Sequence, residues 1–367
     1  MERQVGQLLI IGFDGIEMTP RLAALLKRVQ PAGVILFARN IRTPGQTWQL
    51  LRNYQKCIQT PLFTCIDMEG GTVDRLRDAL GAAPSAAEVF AVDDSKLFRR
   101  HGQIIAENCR ALGFNVDFAP VLDLAFETSR DVLGTRVVSA DPEMTIAYAR
   151  EFLAGLEACR VLGCGKHYPG VGEGKLDSHH ELPVIEKSLK QLWNEDLLPY
   201  RVLRRELPFV MVAHAAYPQV TKSKIPASIS KVWITDILRK KIGYRGLIVS
   251  DDLEMGGVLA SASVGEAAVE AVRAGADLCL VCHREDRVIE AYEALIKAAE
   301  ADKKFRQRVS ESARRVLRFK KKCGKTLALG KAPSAAVVEK LTRNLWEFGE
   351  QVRLGPLSRR EDRRRRG

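Results

Sequence analysis

Short apolar runs rich in β-branched residues recur along the chain. Each ends in a polar or glycine-rich turn, and most are followed by a stretch with helical spacing. In order they are LLIIGFDG, GVILFARN, FTCIDMEGG, VDFAPVLDL, GCGKHYPG, VMVAHAAYP, GLIVSDDLEMGG and LCLVCHRE, eight in all. Near-continuous apolar strands are what a parallel sheet covered on both faces requires. PRLAALLKRV follows the first run and TPGQTWQLLRNYQKCI the second, with Thr43 placed to cap a helix that starts at Pro44. DPEMTIAYAREFLAGLEAC precedes the fifth run, ITDILRKKIG the seventh and SVGEAAVEAVRAG the eighth. Eight such units predict an α/β fold, a (β/α)8 TIM-type barrel in one domain over residues 1–330. A doubly wound open sheet fits less well, because no glycine-rich dinucleotide turn follows the first strand. Beyond the eighth strand, helices are expected near VIEAYEALIKAAEAD and FRQRVSESARRVLRFKKKCG. A last helix over 331–352 is expected to pack on the barrel's outside.

The chain has 367 residues, 46% of them hydrophobic and 28% charged, which is ordinary globular composition. The N-terminal apolar run is short and meets Asp14 at once, unlike an export signal. No run reaches the roughly 18 apolar residues of a membrane span. The expectation is a cytoplasmic, non-membrane protein, read by default as a monomer. The eight cysteines are accordingly expected as free thiols. Cys279-Leu-Val-Cys282-His283 matches a haem-attachment spacing, but on a strand residues three apart face opposite sides.

The net charge is +12, and the tail 353–367 supplies +5 of it through seven arginines against Glu361 and Asp362. That composition reads as a solvated, disordered end. A nucleic-acid role is the alternative, weakened because no aromatic residues are interleaved with the arginines.

In a barrel of this type chemistry collects at the C-terminal strand ends. Asp67 and Glu69 end the third strand, Lys166 and His167 the fifth, His214 the sixth, and Asp251, Asp252 and Glu254 the seventh. The stretch GKHYPGVGEGKLDSHHELP, from Gly165 to Pro183, raises three possibilities. A phosphate-binding loop needs a hydroxyl after its lysine, and Lys175 precedes Leu176. A metal site from Asp177, His179 and His180 lacks the helical spacing of zinc hydrolases. Acid–base chemistry fits better. Asp177 and His179 lie two apart, so in an extended loop both can face one side, where a carboxylate fixes an imidazole's tautomer and raises its pKa. The bland alternative is a surface loop with incidental His and Asp. The glycines between His167 and Asp177 read as a flexible link.

The motifs KHYPG…DSHHELP and IVSDDLEMGG resemble glycoside hydrolase family 3, and within it the single-domain bacterial β-N-acetylglucosaminidases of peptidoglycan recycling. The likeness extends from QLLIIGFDG to RRVLRFKKK, with support from IDMEGGTVDRLR, NVDFAPVLDL and IPASIS. It implies retaining, two-step exo-hydrolysis of GlcNAc-anhydro-MurNAc peptides, with no cofactor and no metal. It implies Asp251 as nucleophile and His179, oriented by Asp177, as acid and base. It implies Asp67, Arg75, Arg136, Lys166 and His167 as sugar-binding residues, and Asp252 as a supporting one. Thr72, the VVSADP stretch after Arg136, and Tyr168 depart from the family's commoner residues, touching subsite shape rather than catalytic groups. Phosphorolysis is the enzymatic alternative, since a histidine repels phosphate less than a carboxylate does. A catalytically inactive sugar-binding barrel is the non-enzymatic one.

Overall fold

The eight apolar runs form eight parallel strands: β1 Leu9–Ile11, β2 Gly33–Ile35, β3 Phe63–Ile66, β4 Val116–Asp117, β5 Cys164–Tyr168, β6 Phe209–Val212, β7 Leu247–Asp252 and β8 Leu278–Val281. The structure, a computed structural model, describes residues 1–174 and 181–366, with side chains omitted for 356–366. β1 lies between β2 and β8, and the order runs outward through β3 to β4 on one side and through β7 and β6 to β5 on the other. Parallel bridges from Val116 to Leu162 and from Val121 to Lys166 join β4 to β5 and close the ring. The expected barrel is what the chain forms.

Alternation along the strands sorts side chains into two layers. Ile10, Phe63, Cys65, Phe209, Leu247, Val249, Leu278 and Leu280 fill the barrel's interior cluster. Leu9, Ile11, Ile66, Val210, Ile248 and Val281 face the surrounding helices. Cys279 belongs to the outer layer and Cys282 to the inner one, so the haem-like pair is split between faces. All eight cysteines are free thiols.

The helices begin where the sequence signals them. Thr43 Oγ1 accepts from the Gln46 amide at 3.2 Å ahead of helix Pro44–Cys57. Ser263 and Glu266 form a capping box on Val264–Ala274, which ends at Gly275 with φ +119°. Helix Ser95–Leu112 between β3 and β4, and a small hairpin of Met68–Gly70 with Val73–Asp74, were not anticipated. Helix Pro142–Ala158 packs against Ser95–Leu112 through glycine: a Cβ at Gly102 would sit 2.1 Å from the Phe152 carbonyl.

The final helix runs Ala335–Arg366, past the expected end at residue 352 and through the arginine-rich stretch read as disordered. Leu341, Leu345, Phe348 and Val352 recur at helical spacing and are buried against the barrel's outer layer. Phe348 stacks on His101 at 5.8 Å between ring centres. Arginine is a good helix former, and an Arg353–Glu350 pair of 2.6 Å spans the last docked turn. Composition alone registers the charge and not this local support.

Candidate active site

A cavity of about 490 Å3 sits at the C-terminal ends of the strands. Asp67, Arg75, Arg136, Lys166, His167 and Asp251 all line it, so six sequence-predicted side chains from four separate stretches of chain converge there. Asp177 and His179 fall within 175–180, outside the described residues.

One wall is a lattice of buried charge. Lys166 Nζ lies 2.7 Å from Asp67 Oδ1 and 2.6 Å from Glu69 Oε1. Arg136 grips Glu69 with two parallel bonds, Nε to Oε2 at 2.8 Å and Nη2 to Oε1 at 2.9 Å. Burial opposes charge on Glu69, but Arg136 and Lys166 outweigh it and hold the carboxyl well below its ordinary value. Burial would likewise push the Lys166 ammonium down, and Asp67 and Glu69 hold it above its ordinary value instead. Glu69, Lys166 and Arg136 are therefore ionised across the physiological range. Glu69 fixes the two cations, which in turn present charge to the cavity.

The strand β5 shifts register against β6 between Gly165 and Tyr168, which interrupts its alternation. Lys166 and His167 both line the cavity in consequence, and the peptide bond between them is cis. Tyr168 turns into the outer layer, where its hydroxyl donates to the Trp233 carbonyl at 3.0 Å. Neither Tyr168 nor Thr72 nor Val137 lines the cavity, so these departures from the family's pattern lie off its wall.

His167 is set by Asp123, which the sequence reading passed over. Asp123 Oδ2 accepts from the His167 amide at 3.1 Å and lies 2.7 Å from Nδ1, while Oδ1 accepts from the Val171 amide at 2.8 Å. Asp123 thereby orients the His167 ring, whose Nε2 lies 3.5 Å from Arg136 Nη2 at the cavity. Asp123 is fully buried in the run VDFAPVLDL, where a lone acid in an apolar stretch was the only available signal.

Asp251 and Asp252 end β7 with different assignments. Asp252 Oδ1 accepts from the Glu254 and Cys282 amides at 3.1 and 3.2 Å, and Oδ2 lies 3.2 Å from His283 Nε2. Asp251 uses Oδ1 for the Asp252 amide at 2.9 Å, and Oδ2 makes no hydrogen bond to any described residue. Burial works against the charge on Asp251, but His167, His214, the Asp252 amide and Lys166 outweigh it and hold the carboxyl below its ordinary value. His214 is itself buried, and burial pushes its pKa below the ordinary value. Its Nε2 donates to the Asp252 carbonyl at 2.8 Å and its Nδ1 accepts from Ser228 at 2.7 Å, which pins the end of β7 from below. Asp251 is thus a half-buried, ionised carboxylate whose Oδ2 is without a hydrogen-bond partner among the described residues, beside a cationic wall, and is a suitable nucleophile or electrostatic stabiliser.

The far wall is aromatic and cationic. Phe37 stacks on His283 at 5.6 Å, and the guanidiniums of Arg39 and Arg75 lie 4.5 and 5.7 Å from the Phe37 ring centre. Arg75 Nε is buried without a partner among the described residues, a donor available to a ligand.

The model of the glycosyl hydrolase family 3 N-terminal domain matches residues 1–319. The chain belongs to glycoside hydrolase family 3. A beta-hexosaminidase of Bordetella avium is 36% identical over 294 residues, covering 78% of this chain and 83% of its own. A beta-hexosaminidase of Idiomarina loihiensis is 33% identical over 315 residues, covering 85% of this chain and 92% of its own. Among solved structures, a family 3 β-N-acetylglucosaminidase from Paenibacillus superposes with a TM-score of 0.89 at 33% identity, over 96% of this chain and 68% of that one. NagZ from Neisseria gonorrhoeae, in complex with N-trifluoroacetyl-D-glucosamine, superposes with a TM-score of 0.72 at 29% identity, over 85% of this chain and 98% of its own. This family 3 protein is a glycoside hydrolase. Among its described residues, no helix is long and apolar enough to cross a membrane.

Proposed function

We propose that this glycoside hydrolase is an exo-acting, retaining β-N-acetylglucosaminidase that removes non-reducing GlcNAc from peptidoglycan-derived muropeptides in the cytoplasm. The observation that carries the proposal is Asp251: an ionised carboxylate whose Oδ2 has no hydrogen-bond partner among the described residues, in a cavity beside the Asp67–Lys166–Glu69–Arg136 lattice. The names of the relatives supply the sugar: beta-hexosaminidases in sequence, and a protein bound to an N-acylglucosamine analogue in structure.

In this reading the terminal sugar enters with its hydroxyls on Asp67, Lys166, Arg136 and His167, and with Arg75 Nε as a further donor. Asp251 attacks the anomeric carbon as the bond to the leaving oxygen breaks. His179, paired with Asp177, donates a proton to that oxygen and then takes one from the water that releases the sugar. Negative charge on Asp251 also stabilises the oxocarbenium-like transition state, where positive charge develops.

The test is a digest of anhydro-muropeptides followed by mass spectrometry, with and without phosphate. Free GlcNAc released in both conditions is the expected result. GlcNAc-1-phosphate as the main product would establish phosphorolysis instead. Sugar binding without turnover would establish an inactive barrel.

A further inference from the structure

A second cavity, of about 1050 Å3, opens at the opposite end of the barrel. Gly163, Pro208 and Gly246 line it, each just ahead of a strand whose other end carries Lys166, Met211 or Asp251 at the hydrolytic site. The two cavities have no lining residue in common.

The wall of this second cavity is strongly cationic. Seven lining side chains are arginine or lysine, and two, Glu157 and Glu206, are acidic. Glu206 is engaged by Arg150 at 3.1 Å. Arg205, Arg245, Arg318 and Lys322 are exposed and make no hydrogen bond or ion pair with any described residue. Arg315, Arg318 and Lys322 follow one another at i, i+3 and i+7 on helix Lys303–Cys323, so they share a face and repel. Behind them, the buried Asp277 is shared by Arg239, Arg308 and Arg315, and one carboxylate cannot neutralise three guanidiniums. Burial and the charge of Arg315 both hold Arg239 and Arg308 below their ordinary values. Glu311 also pairs with Arg308, at 3.3 Å, and an anion in the cavity adds negative charge beside Arg315, which lines it.

Part of the lining is apolar. Leu153, Val161, Leu207 and Phe319 share the cavity wall with the cations, and Phe319 is packed edge-on against Phe209 at the barrel's base. A bare anion uses only the cations. A ligand with a flat apolar body uses both, because guanidinium groups bind phosphate bidentately and also stack on planar rings. The volume lies near the upper end of small-molecule sites, about 300–1,000 Å3, and the concave shape suits a compact ligand more than a nucleic-acid helix.

We propose that this cavity is a binding site for a small polyphosphorylated ligand with a planar aromatic body, of the nucleoside triphosphate class. It is separate from the hydrolytic site and does not depend on which sugar that site accepts.

The test is calorimetry on the full-length protein with ATP, tripolyphosphate and adenosine, at low and at high salt. ATP is expected to bind one to one and more weakly as salt rises. Tripolyphosphate is expected to bind more weakly than ATP, and adenosine to give no measurable binding. The double variant Arg245→Glu/Arg318→Glu is expected to weaken ATP about tenfold or more, through loss of two charge-assisted contacts. Both positions are exposed and outside the hydrolytic site, so its melting temperature and aryl-glycoside turnover should match the wild type. The proposal is overturned if ATP does not bind at low salt or if the double variant binds it unchanged. It is overturned equally if tripolyphosphate matches ATP, or if only long RNA or DNA binds and ATP does not compete.

Discussion

His167 and Asp123 are joined twice: the same carboxylate oxygen accepts from the His167 amide at 3.1 Å and lies 2.7 Å from its Nδ1. The other oxygen of Asp123 accepts from the Val171 amide, at the start of the segment that leads to Asp177 and His179. One buried carboxylate thus fixes a cavity side chain and the root of the loop expected to carry the acid and base.

Asp123→Ala should therefore act on catalysis although Asp123 itself does not line the cavity. Loss of the ring's orientation and of the loop anchor is expected to lower kcat/KM by about a hundredfold, the scale of a small misplacement of reacting groups. Steady-state kinetics on an aryl β-N-acetylglucosaminide, with circular dichroism to confirm folding, checks this. A change confined to stability would assign Asp123 a purely structural part.

Asp251→Asn should remove about a thousandfold or more of kcat. The folded carboxyl lies below its ordinary value of 3.8, so Asp251 stays ionised as pH falls to that value and below. The acid limb of the wild-type kcat/KM profile should accordingly not begin above pH about 4 on account of Asp251. A limb with an apparent pKa of 5 or more that moves in Asp251→Glu would contradict the assignment.

Lys166→Met should destabilise the fold by about 3–5 kcal/mol, because it leaves Asp67 and Glu69 with one cation where the lattice has two. Urea unfolding checks the magnitude. The pH dependence has a definite sign. The folded value for Glu69 is depressed below its ordinary 4.5, so its contribution is fully present above that value and is lost as pH falls through the folded value. Stability of the wild type should drop below pH about 4.5, and less steeply in Glu69→Gln.

The barrel was legible because its strands are short, apolar and buried on both faces, a pattern that little else produces. Asp67, Lys166, His167 and Asp251 were legible as ionisable groups at strand ends. Arg75 and Arg136 were reached only through family likeness, since neither ends a strand; loops and the hairpin after β3 bring them to the cavity. Asp123 and His283 were missed for different reasons. Asp123 looks like a polar interruption, and its partners are 44 and 48 residues away in sequence. His283 was read within a cysteine spacing, while its contacts are with Asp252 at the end of β7 and Phe37 just past β2. The final helix runs beyond the expected residue 352 because arginine is a good helix former, which charge density alone does not register.

His179→Ala should separate leaving groups. An activated leaving group such as dinitrophenolate needs no proton, so formation of the glycosyl-enzyme should be nearly unchanged with it. For an unactivated sugar leaving group, the loss should reach about a hundredfold to ten-thousandfold. Comparison of kcat/KM on dinitrophenyl β-N-acetylglucosaminide and on a GlcNAc disaccharide checks the role. Equal losses on both substrates would remove His179 as the acid.

The central claim is a covalent bond between the sugar and Asp251. In His179→Ala, dinitrophenyl β-N-acetylglucosaminide should load the enzyme rapidly while water is activated slowly, so the intermediate should accumulate. Rapid quenching followed by peptide mass spectrometry is predicted to find one N-acetylglucosaminyl unit on the peptide carrying Asp251, and none in His179→Ala/Asp251→Asn. Turnover without any adduct, or an adduct on another residue, would contradict the account.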